Sequence, residues 1–206
     1  MVVARAVGDV RPILALHEAA EVATFVELIE ELPSSIGEVF CWRGSWDEAT
    51  ATQEDVKGWV SAVHVAADHG ISLTNLYGGF LSVLLTGLGL AGLNHGIGYS
   101  ESRDVRRLGE TGAPPTRYYV PAVHSFLTVP AAQPLIDHLP AAWACQCDVC
   151  SEVQEGGRPV VARLTPTQRK RHFLLARQQE LQAVSEGLED CLSDMRAIAE
   201  WLEENP

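Results

Sequence analysis

No stretch of this chain of 206 residues is apolar for long enough to cross a bilayer, since a spanning helix needs roughly 18–20 such residues. The most apolar run, Phe80 to Leu93, is interrupted by glycine and threonine and ends at Asn94 and His95. No membrane partner is expected. The N-terminus has Arg5, Asp9 and Arg11 but no cationic segment leading into a long apolar core, so a secretory signal is not expected and a cytoplasmic location is. Positive charge is scarce, with 15 Lys and Arg against 27 Asp and Glu and a net charge of −12. That deficit argues against a strong stand-alone grip on nucleic acid, because phosphate neutralisation supplies much of such affinity. A Gly-x-Gly-x-x-Gly turn after the first strand is also missing, which removes support for dinucleotide binding. Five cysteines are too few and too unevenly spread for a disulfide framework: three fall between 145 and 150, while Cys41 and Cys191 stand alone. In a cytoplasmic chain that clustering points to metal.

What remains is an ordinary globular balance, 47% apolar and 20% charged, long enough for one substantial domain with a small appendage. Up to residue 144 short apolar runs alternate with amphipathic ones. Strands are predicted at 13–16, 39–42, 71–76, 88–93, 117–120 and 141–144. Helices are predicted at 18–32, 52–69, 80–85, 102–108 and 131–139, with Thr52 as an N-cap and Gly70 as a stop. Such alternation implies parallel pairing through crossovers, in an open doubly wound sheet or an incomplete barrel. The residues just past the strand ends are His17, Trp42 and Arg43, Asn75 and Tyr77, Asn94 and His95, and Tyr119 with His124. In a parallel barrel such positions converge on one face, although loops generally begin with polar residues. From Cys145 the character changes. A Cys-rich turn and a Gly-Gly-Arg-Pro loop precede a helical region from 166 to 203, whose Leu181, Val184, Leu188, Leu192, Met195, Ile198 and Leu202 form an apolar stripe. The expected domains are therefore 1–144, a partial (β/α) barrel, and 145–206, a metal-binding segment with a C-terminal helix.

Cys145-Gln-Cys147-Asp-Val-Cys150 places three thiols where one turn can aim them at a common point. Zinc takes four soft or borderline ligands in a tetrahedron, and neutral imidazole completes a three-thiolate set. His172, at the start of the long helix, is positioned to reach back to the turn, and His138 is the alternative fourth ligand. A fully ligated zinc has no open position for substrate and is structural. The plain alternative is three reduced cysteines in a core with His172 on the surface.

A Cys-x-Cys-x-x-Cys cluster followed by a histidine that opens a helix resembles the zinc signature of the tRNA-guanine transglycosylases. Gly96-Ile-Gly-Tyr-Ser-Glu101 resembles the family's glycine-rich loop ending in glutamate. Pro115-Thr-Arg117-Tyr118-Tyr119 resembles its Pro-Arg-Tyr strand, and His172-Phe-Leu-Leu-Ala-Arg177 its His-Asn-led helix. The likeness spans roughly residues 70 to 190. It implies a (β/α)8 barrel, incomplete here at the N-terminus, with a structural zinc on Cys145, Cys147, Cys150 and His172. It implies exchange of guanine for a 7-deazaguanine base in tRNA or DNA, through a covalent aspartate–sugar intermediate. Asn94, His95, Gly96 and Gly98 would line the base pocket, and Glu101 would bond the purine edge. Homo- or hetero-oligomers are expected from the same likeness. Where the family carries its nucleophilic aspartate, this chain has Pro140-Ala-Ala-Trp-Ala144. Glu101, Asp104 and Asp137 are then the nearest carboxylates, with Glu101 and Asp104 taken as the catalytic pair. A non-catalytic zinc-stabilised subunit that completes an active partner is the second expectation. A third, a nucleic-acid adaptor, rests on Arg163, Arg169, Lys170, Arg171 and Arg177 around the cysteine turn.

Overall fold

In a computed structural model, residues 13–16, 21–33, 35–43, 48, 51–76, 78–94 and 116–205 are described. They fall into two compact units, with residues up to 94 in the first and residues 116–205 in the second. The chain is of mixed α/β class. Among the described residues no helix is long and apolar enough to cross a membrane.

The first unit alternates strand and helix as its hydrophobic pattern predicts: β1 (Ile13–Leu16), α1 (Glu21–Glu30), β2 (Glu38–Arg43), α2 (Gln53–Asp68), β3 (Ser72–Leu76), α3 (Phe80–Thr86) and β4 (Gly92–Leu93). The four strands pair in parallel in chain order, β1-β2-β3-β4. Alternate residues of β2 and β3 face the core, where Val39, Cys41 and Leu73 are buried, as the two-residue period of a strand requires. They meet Trp59, Ala62, Val63 and Ala66 of α2, whose three- and four-residue spacing puts them on one helix face. Thr52 caps α2 in a reciprocal box: its side chain accepts from the Asp55 amide and the Asp55 carboxylate accepts from the Thr52 amide. At the other end Gly70 takes φ +68°, and the Ile71 amide reaches back to the Ala66 carbonyl. This left-handed closure favours glycine. β4 is shorter than the predicted 88–93 strand because Gly89, at φ +111°, and the Leu90-to-Leu85 bond hold 87–90 in a turn. The predicted helix at 102–108 lies outside the described residues.

The second unit departs from the expected βα series. β5 (Arg117–Val120) pairs antiparallel with β6 (Ser125–Thr128) as a hairpin. The reason lies in the connection: a 3-10 turn at Pro121–Val123 ends on His124, whose left-handed backbone (φ 49°) reverses the chain. That link is far too short for the crossover a parallel pair requires. α4 (Val129–His138) follows, and the predicted strand at 141–144 is a 3-10 turn, Ala141–Trp143. One helical turn, α5 (Asp148–Ser151), contains Cys150 and is preceded by Cys147 at its N-cap. The Gly156-Gly157 pair, both at positive φ, then links β7 (Gln154–Glu155) to β8 (Arg158–Pro159) in a tight hairpin. The predicted long helix is two helices, α6 (Pro166–Glu186) and α7 (Leu188–Glu204), separated at Gly187. The core of this unit packs Tyr118, Val120, Ile136, Leu139, Val161 and Leu164 around Cys147 and Cys150. The cysteine turn is thus inside the unit's core, together with the 117–139 segment.

Candidate metal centre

Three short elements converge on the cysteines. Cys147 is the N-cap of α5, and Cys150 lies within it, so one helical turn aims both sulfurs to the same side. Cys145 precedes the turn, and the Ser151 hydroxyl and amide tie it down by bonding the Cys147 carbonyl. The fourth donor comes from α6, whose first turn is set by Pro166 and by a reciprocal Thr165–Gln168 cap. His172 sits one turn further on, fully buried. Its Nδ1 lies 3.6, 3.4 and 3.3 Å from the sulfurs of Cys145, Cys147 and Cys150. All four donor atoms lie within 4.8 Å of one another.

The nitrogen–sulfur distances match those around a tetrahedral ion. Metal–sulfur bonds of about 2.3 Å and metal–nitrogen bonds of about 2.05 Å place nitrogen about 3.6 Å from each sulfur. The four residues are therefore positioned to hold a metal ion. His138, the alternative ligand, is not at the cluster. Its ring packs on Trp201, with centroids 5.1 Å apart. The burial of His172 also removes the reading in which it is a surface residue.

The surroundings orient the ligands. His172 Nε2 lies 2.8 Å from the backbone carbonyl of Tyr119; this oxygen can only accept, so Nε2 carries the hydrogen and Nδ1 is left for a metal. The Tyr118 ring stacks on the imidazole, and its hydroxyl lies 3.2 Å from Cys150 Sγ. Burial and the neighbouring thiols push the Tyr118 hydroxyl far above its ordinary value, so it stays protonated and donates. Without a cation the three sulfurs oppose one another. Cys147 is held well below a normal thiol by hydrogen bonds with Cys145 and Cys150, and Cys150 is pushed well above by those with Cys145 and Cys147 and by burial. Burial works to lower the His172 value, but hydrogen bonds to Cys145 and Cys147 outweigh it and raise it to about 9. A bound cation would favour the deprotonated form of all three thiols at once.

Behind the cluster is a buried polar group that sequence reasoning had not assembled. Glu180 Oε1 accepts from the Tyr119 hydroxyl at 2.7 Å and from His124 Nδ1 at 2.8 Å, while Oε2 lies 2.9 Å from Arg177 Nη1. The Arg177 guanidinium also lies over the Tyr119 and Phe173 rings. The alternation of a strand was the available signal. Adjacent Tyr118 and Tyr119 must face opposite ways, one to the metal ligands and the other to Glu180.

The remaining predicted residues divide by unit. Asn94 is exposed at the end of β4, its amide and carbonyl bonded to the Asn75 carbonyl and the Gly78 amide. Asn75 is buried and donates to the Ser82 hydroxyl at 2.7 Å. His17, Tyr77, His95, Gly96, Gly98, Glu101 and Asp104 lie outside the described residues, as do the side chains of Trp42 and Arg43. Tyr119 and His124 belong to the second unit. Glu48, which the sequence did not single out, accepts from the Phe80 and Leu81 amides and anchors the start of α3. The proposed phosphate-facing cluster is largely occupied internally. Arg169 and Arg177 are buried, and Arg163 pairs with Glu155. Only Lys170 and Arg171 of the five are left as exposed cations outside a described pair.

Set against known proteins, the chain matches no family model, no curated protein and no solved structure.

Proposed function

We propose that the chain is a cytoplasmic, zinc-bearing protein of the tRNA-guanine transglycosylase type, exchanging guanine for a 7-deazaguanine base in tRNA or DNA. The observation that carries this reading is the Cys145–Cys147–Cys150–His172 cluster, whose four donor atoms lie within 4.8 Å of one another. Three thiolates and an imidazole favour zinc among the common divalent ions. When bound, the zinc fastens the cysteine turn to α6 and leaves no coordination position for substrate. The sheet adds support. Four parallel strands in unbroken chain order are what a segment of a (β/α)8 barrel contains, whereas a doubly wound sheet reverses its order part-way.

In this reading Asn94, His95, Gly96 and Gly98 line the base pocket and Glu101 bonds the purine edge. Exchange requires the glycosidic bond to guanine to break as a carboxylate oxygen bonds to C1′, guanine leaving with a proton. The incoming base then displaces the carboxylate. Glu101 and Asp104 are the proposed catalytic pair.

One observation favours a second reading, a non-catalytic subunit that completes an active partner. The segment just before the cysteines is a 3-10 turn, Ala141–Trp143, with no carboxylate. The deciding measurement is release of labelled guanine from tRNA and from duplex DNA, with an added 7-deazaguanine base. Base-dependent release that Glu101→Gln or Asp104→Asn abolishes supports the enzyme. No release by folded, zinc-loaded protein overturns autonomous catalysis and leaves the subunit.

A further inference from the structure

α7 is amphipathic, yet none of its side chains is fully buried. Trp201, near its C-terminal end, packs on His138 and Trp143. The stretch from Asp190 to Ile198 instead borders an open cavity of about 420 Å³ between α6, α7 and the Pro121–Val123 turn. Ala183, Met195 and Ile198 supply apolar surface to this groove, and Glu186, Asp190 and Asp194 supply carboxylates. Glu180 also reaches the inner wall, but its carboxylate is already engaged by Tyr119, His124 and Arg177. No lysine or arginine is among the described residues that line it.

We propose that this groove docks a basic amphipathic helix of a protein partner, its apolar side chains seated between α6 and α7 and its lysines or arginines facing the carboxylates. Shape and charge both point to that occupant. From Ala176 to Glu186 the wall runs about 15 Å along α6, which suits anchors spaced at i, i+3, i+4 and i+7. A nucleic acid would bring phosphates against carboxylates. A second copy is disfavoured by charge as well: α7 carries Glu189, Asp190, Asp194, Glu200, Glu203 and Glu204 against a lone Arg196, on a chain of net charge −12. Complementary charge around an apolar seat selects a cationic partner and speeds its arrival. The inference rests on α6 and α7 and holds whichever reading of the catalytic function is right.

The test uses the full, metal-loaded chain and two labelled synthetic peptides of about 14 residues, roughly 21 Å of helix. Both carry leucine at the anchor spacing; one has lysine and the other glutamate at the remaining positions. Fluorescence anisotropy at about 150 mM salt keeps long-range attraction screened. The expected result is saturable binding of the lysine peptide, at least about tenfold tighter than the glutamate peptide. The Asp190→Lys/Asp194→Lys pair should weaken it about tenfold or more, as should Met195→Glu. Glu189→Lys/Glu200→Lys changes the net charge equally on the same helix, away from the groove, and should leave binding within about twofold. Equal loss in both charge pairs would mean bulk attraction and overturn the proposal, as would equal binding of the two peptides. A wild-type dimer in sedimentation that Asp190→Lys/Asp194→Lys dissociates would also overturn it, by assigning the groove to a second copy.

Discussion

The ring of Tyr118 lies flat on the imidazole of His172, with centroids 4.4 Å apart and planes 6° from parallel. Its hydroxyl reaches Cys150 from the same position, so one side chain steadies two donors. Tyr118→Phe keeps the stack and removes the hydrogen bond. Metal affinity should fall about tenfold, within the range seen when outer partners of metal ligands are lost. Competition against a chromophoric zinc chelator measures it. An unchanged affinity would show that the hydroxyl contributes nothing to the site.

Cys147→Ser removes a donor from the middle of the second unit's core. Metal content should fall to near zero, and amides of 116–205 should exchange with solvent as fast as they do in chelator-treated wild type. Structural zinc contributes about 10–16 kcal/mol in small peptides, enough to decide whether this unit folds. Wild-type protein that holds no metal and keeps its Tm in chelator would refute the metal centre.

Acid and chelator should act through different groups. In metal-free protein His172 is raised to about 9, so its contribution is complete below about pH 6.5 and is lost as pH rises through 9. Cys147 is lowered, so its contribution is complete above the ordinary thiol value near 8.5 and declines as pH falls. Between about pH 6.5 and 8.5 the two slopes oppose each other, and the Tm should be nearly flat. With metal bound every donor must be deprotonated, so the Tm should fall as the pH drops. Thermal melts from pH 5.5 to 9.5, with and without chelator, compare the two. Parallel profiles would contradict the assignment.

Glu180 is 8% exposed and holds Tyr119, His124 and Arg177 together. Glu180→Ala leaves the buried Arg177 guanidinium without its carboxylate, a change that typically costs about 3–5 kcal/mol. Glu180→Gln retains an acceptor and should cost less. Urea unfolding of the metal-loaded variants gives both values; an Ala variant as stable as wild type would show that the buried group is not cooperative.

Local signals carried far in the first unit. The apolar spacing of α2, the Thr52 cap and the Gly70 stop act within a few residues, so they can be read without tertiary knowledge. The same locality made Cys145, Cys147 and Cys150 legible, because three thiols so close in the chain cannot avoid one another. Reading failed where partners are distant or a connection decides. Arg117–Val120 has a strand's composition, but the left-handed His124 makes it a hairpin. The 166–203 periodicity continues through Gly187, where the backbone breaks.

The sequence by itself determined the alternating α/β character of the first unit, the clustered thiols and the apolar stripe of the C-terminal helical region, because each rests on local spacing. Only the tertiary structure decided that His172 rather than His138 faces the thiols, that Tyr118 and Tyr119 divide between the Cys-His cluster and Glu180, and that α6 and α7 leave an acid-rimmed groove. Those outcomes depend on which faces are brought together, and a linear pattern of residues does not contain that information.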